Sequence, residues 1–229
     1  MEKKQSAVLR IAFLTGKGGG DFIALQRARR RGLVDFETVA FITTNPESSA
    51  LSAYKANPEA ATPLIMDNIR SERDQAFEQI SACLQAARPD LIVLCGFTFL
   101  LPKTLVRAFR DRIVNTHHAS LPEHPGLFTK EQLVAKGEPE LAATVHLVDE
   151  GMDTGRILSV ARFPNFGAGD FGRVLRYYRF VQDVLVIQAV RDFAGISGAG
   201  RMVDFHDIRF FSSAEIRIIE EIKGDYDFE

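Results

Sequence analysis

The sequence predicts an α/β fold with a Rossmann-like, mostly parallel sheet, helices on both faces and an antiparallel addition in the second half. Three observations carry this. Apolar runs with strand character alternate with helical spacings up to residue 126, the grammar of right-handed β–α–β crossovers. "DLIVLCG" (90–96) is continuously apolar, as a strand covered on both faces is. Beyond residue 126, two strand-like runs follow one another across the short link "EGMDTG" (150–155), which is a hairpin pattern.

Taken in order, "AVLRIAFLT" (7–15) is a β-rich run ending in "GKGGG". Phe22, Leu25 and Ala28 give helical spacing from Asp21 to Arg31, closed by Gly32. The Arg-rich "RARRRG" (27–32) reads as the solvated end of that helix, where cations suit the dipole. "ETVAFITT" (37–44) is a second strand, and Pro46 is expected to open a helix through Ala56. "TPLIMD" (62–67) is a third strand, and the amphipathic helix that follows takes Ser71 as its expected N-cap. Pro102 opens a short helix, and "RIVNTHHA" (112–119) is the fifth parallel strand. "LFTKEQLVAKG" reads as a helix stopped by Gly137. The hairpin strands are "LAATVHLVD" (141–149) and "RILSVARFP" (156–164), followed by a long helix from about Asp170 to Ala194. "GISGAG" (195–200) breaks the pattern. The remainder suggests one more strand and a helix, with a capping box from Ser212. Two units are therefore expected: a main domain over 1–195 and a strand–helix extension over 196–229. The apolar content of the extension suits it to covering the sheet edge or to a homodimer contact.

Composition excludes several classes. The 229 residues are 46% hydrophobic and 25% charged, with a net charge of −2 and basic residues spread along the chain. That balance argues against nucleic acid or a membrane surface as the main partner. No apolar stretch is long enough to span a bilayer. Two cysteines, Cys83 and Cys95, make no disulfide framework and suit a reducing, cytoplasmic setting.

Ligands of open α/β sheets bind outside the carboxyl ends of the strands. Four features fall there: the Gly-rich loop, "CGFTFLL" (95–101), "NTHH" (115–118) and the loop holding Asp153. "GKGGGD" is neither G-x-G-x-x-G nor a Walker loop. Gly16, Gly18, Gly19 and Gly20 either expose backbone N–H groups to an anion or simply make a tight strand–helix turn. Asp21 is expected to cap the helix start and to oppose a phosphate there. Side chains alternate along a strand, so Asn115 and His117 share a face while His118 points away. An Asn/His pair of this kind also occurs as a purely structural hydrogen-bonded site. Asp153 tilts the reading toward chemistry. An amide donor, an imidazole and a carboxylate together suit acyl-type transfer. No Ser or Cys lies in a nucleophile setting, so the nucleophile would belong to the substrate.

"VNTHHASLPEHPG" followed by "ATVHLVDEGMDTGRIL" resembles the 10-formyltetrahydrofolate-dependent formyltransferases, and within them the glycinamide ribonucleotide transformylases. The similarity runs over roughly residues 7–195. It implies the formyltransferase fold, a place in one-carbon metabolism, 10-formyltetrahydrofolate as formyl donor and a small-molecule amine as acceptor, with no metal. Asn115, His117 and Asp153 match the family's catalytic Asn-x-His and Asp, with His146 in the intervening strand. Arg73, Phe97, Phe99, Leu100, Leu101, Asp149 and Glu150 fall in the segments that meet the folate. Gly16, Gly18, Gly19, Gly20 and Gln182 fall on the acceptor side. Departures at "GKGGGD", Thr98-Phe99 and Gln182 lead to the expectation that an amine other than glycinamide ribonucleotide is preferred. Release of formate by hydrolysis, and folate binding without turnover, are the alternatives.

Overall fold

The computed structural model describes residues 8–126, 130–165, 171–195, 206–208 and 219–226. The capping box expected from Ser212 lies outside them. Eight strands form one sheet in the order β3-β2-β1-β4-β5-β6-β7-β8. In chain order the elements are β1 (Leu9–Thr15), α1 (Gly20–Arg30), β2 (Phe36–Thr43), α2 (Ser49–Ala56), β3 (Leu64–Ile65), α3 (Arg73–Ala87) and β4 (Leu91–Cys95). They continue with α4 (Lys103–Ala108), β5 (Ile113–His117), α5 (Lys130–Ala135), β6 (Glu140–Leu147), β7 (Ile157–Pro164), α6 (Phe171–Gly195) and β8 (His206–Ile208).

Strands β3, β2, β1, β4 and β5 are parallel; β6 turns back against β5, and β7 against β6. This is the predicted sheet with its antiparallel addition. β8 then adds to β7 in parallel. Further along, residues 219–222 are helical and run into a short 3-10 turn.

Alternation along β1 sorts the core into two layers. Ile11 and Phe13 point to the layer that also takes Phe22 and Leu25 of α1, Leu51 and Tyr54 of α2, and Val184 of α6. Ala12 and Leu14 point to the opposite layer, against Phe77 and Ile80 of α3 and Leu105 of α4. β4 contributes to both, which is why it reads as an unbroken apolar run.

Several boundaries differ from the sequence expectation, each for a local reason. α2 begins at Ser49 and not at Pro46, because Ser48 supplies the cap: its hydroxyl accepts from the Leu51 N–H at 3.2 Å. Ser71 does not cap α3. Its hydroxyl donates back to the Asn68 carbonyl at 3.1 Å, and the helix starts two residues later with Glu72 at the cap position. The third strand is only Leu64–Ile65, a minimal edge.

Phe13 is fully buried and meets two rings, Phe22 edge-on at 4.9 Å and Phe36 at 5.8 Å. Truncation would leave a cavity between β1 and α1 that neither strand nor helix can close. Phe13→Ala is expected to lower unfolding free energy by about 3–5 kcal/mol, read from urea titrations; a loss under about 1 kcal/mol would show that this layer collapses freely.

Candidate active site

The carboxyl end of β5 and the reversal into β6 bring the predicted polar residues together. In the β5–β6 pairing Asn115 stands opposite His146, and His117 opposite Thr144. Thr144 is fully buried, and its hydroxyl donates to the Ala119 carbonyl at 2.6 Å while accepting from the Leu121 N–H at 3.3 Å. This one side chain pins the backbone just after His117. The Tyr178 hydroxyl of α6 meets the carbonyls of His118 and Ala142 from the other side.

Asp153 enters from the β6–β7 loop. Its backbone is left-handed (φ 55°), a conformation that Asp tolerates better than most residues. Gly155 lets the loop close on β6: a Cβ there would lie 1.8 Å from the Leu147 carbonyl oxygen. The Asp153 carboxylate accepts from the Gly126 N–H at 2.9 Å. Its two oxygens then face two imidazoles, Oδ2 at 3.6 Å from His117 Nδ1 and Oδ1 at 3.5 Å from His146 Nε2. Asn115 Nδ2 lies 3.2 Å from His146 Nε2. The structure therefore brings Asn115, His117 and Asp153 into one cluster, with His146 as the residue joining them.

Hydrogen-bond roles follow from the carbonyls, which can only accept. His146 Nδ1 donates to the Leu147 carbonyl at 2.8 Å, so Nε2 accepts from Asn115. His117 Nε2 donates to the His124 carbonyl at 2.7 Å, leaving Nδ1 toward Asp153. Burial pushes His146 below the ordinary imidazole range, against the opposing pull of the Leu147 carbonyl and Asp153.

His146 was not singled out by sequence reasoning as a member of the site. The signal was present in the strand alternation and in the antiparallel hairpin, but the residue opposite Asn115 follows only from the register. A bulge sharpens the placement: the β6–β7 register shifts between Val145 and His146, leaving Leu158 as the extra residue.

The folate-side candidates occupy one rim. Phe97 and Leu101 are buried, Phe97 against Phe77 and Phe99, whereas Leu100 is half exposed. Arg73 donates to the Leu100 carbonyl at 2.6 Å and lies over the Phe77 ring. Asp149 accepts from the Gly151 N–H and the Thr154 hydroxyl, and Glu150 forms a fork with Arg107 at 2.7 and 2.8 Å. These two acids brace the loop that carries Asp153. Leu100 and Met152 are the large apolar side chains left exposed in these two segments.

On the acceptor side, Gly16 backs onto the Gly96 carbonyl, and Gly18 faces open space. Gly19 is left-handed (φ 70°) at the cap of α1, close to Ala50. Gly20 lies against the Arg179 guanidinium. Gln182 is fully buried, and its amide meets His118 Nδ1. The expectation for Asp21 is corrected: it makes no cap, and its buried carboxylate takes the Arg179 guanidinium at 2.6 Å. Asp183 takes the same guanidinium, so Arg179 offsets the Asp21 charge only in part. Among the described residues no group of three or more His, Cys, Asp or Glu could hold a metal ion, and no helix is long and apolar enough to cross a membrane.

His146 has a depressed pKa in the folded state, so its contribution to stability is fully present above the unfolded value of 6.5 and is lost as pH falls below it. The urea midpoint of the wild type is expected to drop more between pH 7 and pH 5 than that of His146→Asn. Equal drops would show that His146 does not carry this dependence.

A family model described as formyl transferase matches residues 9–190. The chain is 33% identical over 156 residues to the trifunctional purine biosynthetic protein adenosine-3 of Drosophila melanogaster, covering 68% of this chain and 12% of that much longer protein. It is 33% identical over 147 residues to the phosphoribosylglycinamide formyltransferase of Mycobacterium tuberculosis, covering 62% of this chain and 68% of that enzyme. The solved glycinamide ribonucleotide transformylase 1 of Symbiobacterium toebii is similar with a TM-score of 0.76 at 25% identity, over 89% of this chain and 99% of that one. These relatives give no support to the expectation of a different preferred amine. With most of its length matched by the family model, the chain belongs to the formyl transferase family.

Proposed function

We propose that the protein transfers a formyl group from 10-formyltetrahydrofolate to an amine, and that glycinamide ribonucleotide is the acceptor to test first. The observation that carries this reading is the Asp153 carboxylate held between His117 and His146, with Asn115 at the end of the same strand. The folate supplies the formyl carbon. Asn115 presents an amide N–H to the formyl oxygen as that oxygen gains negative charge. His117 adds a second donor through Nδ1, whose present partner is 3.6 Å away and is the easier of its two to exchange. Asp153 balances His117 when it carries a second proton; as the amine N–C bond forms the amine loses a proton, and as the formyl C–N10 bond breaks N10 takes one up, so tetrahydrofolate leaves as a neutral amine. His146 accepts from Asn115 and so orients its amide, while the Gly126 N–H holds Asp153. The cluster holds no Ser, Thr or Cys, and the attacking lone pair in this reading comes from the acceptor amine. On the acceptor side, the backbone N–H groups of the Gly-rich loop at the start of α1 suit an anionic group such as a 5′-phosphate.

The test supplies 10-formyltetrahydrofolate with and without glycinamide ribonucleotide, and follows tetrahydrofolate by absorbance and formate separately. Turnover that requires the amine supports the proposal. Formate release at the same rate without amine would make the protein a hydrolase. Binding of a non-transferable folate analogue without turnover would leave a folate-binding protein. In an active protein, Asn115→Ala is expected to lower kcat about 100-fold or more with its circular dichroism unchanged; near-normal kcat would remove Asn115 from the reaction.

A further inference from the structure

Residues 219–226 lie against α1 and α6. Ile222 is buried in the larger core layer. Asp225 accepts a fork from Arg31 at 2.8 and 2.6 Å and stands 3.8 Å from Arg27, a geometry that fixes orientation as well as distance. Tyr226 meets the Phe180 ring edge-on at 5.3 Å, and its hydroxyl donates to Asp183.

At Asp183 this contact turns inward. Asp183 is buried on α6 and also accepts from Arg179, one helical turn earlier. The same guanidinium nitrogen donates to Asp21 of α1 at 2.6 Å, so one cation serves two carboxylates. Burial pushes the Asp183 carboxyl upward, which Arg179 and Tyr226 oppose. The other nitrogen, Nη1, lies where a Cβ on Gly20 would sit, only 2.6 Å from it. Gly20 both ends the Gly-rich loop and begins α1. A Tyr226 without its hydroxyl leaves Asp183 with fewer donors in a water-poor setting. Arg179 is the cation able to compensate, by leaning toward Asp183 and away from Asp21 and Gly20.

We propose that Tyr226 is a positioning residue for acceptor binding, setting the Gly-rich loop at residues 16–20 through Asp183 and Arg179. This rests on the reading above that the loop takes the acceptor. The test uses the full chain carrying Tyr226→Phe, with Asp225→Asn as a second variant that loosens the same segment from Arg31. Amide hydrogen exchange is followed at residues 16–24 and, as a control, at 91–95, beside steady-state kinetics for both substrates. The expected result is exchange at 16–24 faster by about tenfold with the control unchanged. The acceptor KM should rise about five- to tenfold, while kcat and the KM of the donor stay within about twofold. Asp225→Asn should shift both readouts in the same direction by less, and it decides the matter if Tyr226→Phe does not fold. Unchanged exchange at 16–24, faster exchange with an unmoved acceptor KM, or a rise spread evenly into 91–95 would each overturn the proposal. If the wild type turns over no amine, the functional reading fails, and the exchange comparison alone decides whether Tyr226 sets the loop.

Discussion

Strand β6 runs antiparallel to β5, and its register places His146 across from Asn115. The geometry of the site depends on that pairing. β6 ends beside the start of β5, with Leu147 opposite Val114 and the Val148 N–H donating to the Ile113 carbonyl, so the β6–β7 loop folds back along the strand pair to set Asp153 against His117 and His146. The bulge at Leu158 and the close approach of Gly155 to Leu147 then fix where that loop lands. Thr144, one strand over, holds the backbone that leaves His117.

The cluster is polar, and its members are mostly removed from water. Such a group is tolerable only when its hydrogen bonds are met. Here the backbone does much of that work. The carbonyls of Leu147 and His124 each accept a hydrogen bond from one imidazole N–H, and the Gly126 N–H donates to Asp153. Each imidazole is thereby oriented by the fold and turns its second nitrogen toward the shared carboxylate. The 3.5 and 3.6 Å separations on that side are longer than the 2.7 and 2.8 Å bonds that anchor the rings to the backbone, so the carboxylate side is the looser one.

Much of this could be read from the residues. The unbroken apolar run of β4 and the alternation in β1 and β6 announce strands because burial on one face or two leaves a direct mark on composition. Asn115, His117 and Asp153 stood out because polar groups at strand ends contradict that pattern. What stayed hidden depends on distance across the fold. His146 looked like one more residue in a strand until its opposite number was known. Asp21 looked like a helix cap because sequence shows only its neighbours, whereas its partner Arg179 is 158 residues away. The starts of α2 and α3 differ from the expected Pro46 and Ser71 for a smaller reason: both residue types suit a helix start, and only the local turn decides which hydroxyl faces an N–H.

The Arg31–Asp225 fork joins residues 194 apart in the chain. During synthesis the parallel strands and α1 can meet long before Asp225 exists, and the entropy of closing so large a loop grows only slowly with its length. The order of assembly is therefore expected to run from the sheet outward: the parallel half first, the β6–β7 hairpin and its carboxylate next, and the fork on α1 last. A chain whose residues 219–226 have not yet docked has its core formed and its Asp21–Arg179–Asp183 cluster one donor short, so docking of this segment is what completes the polar cluster.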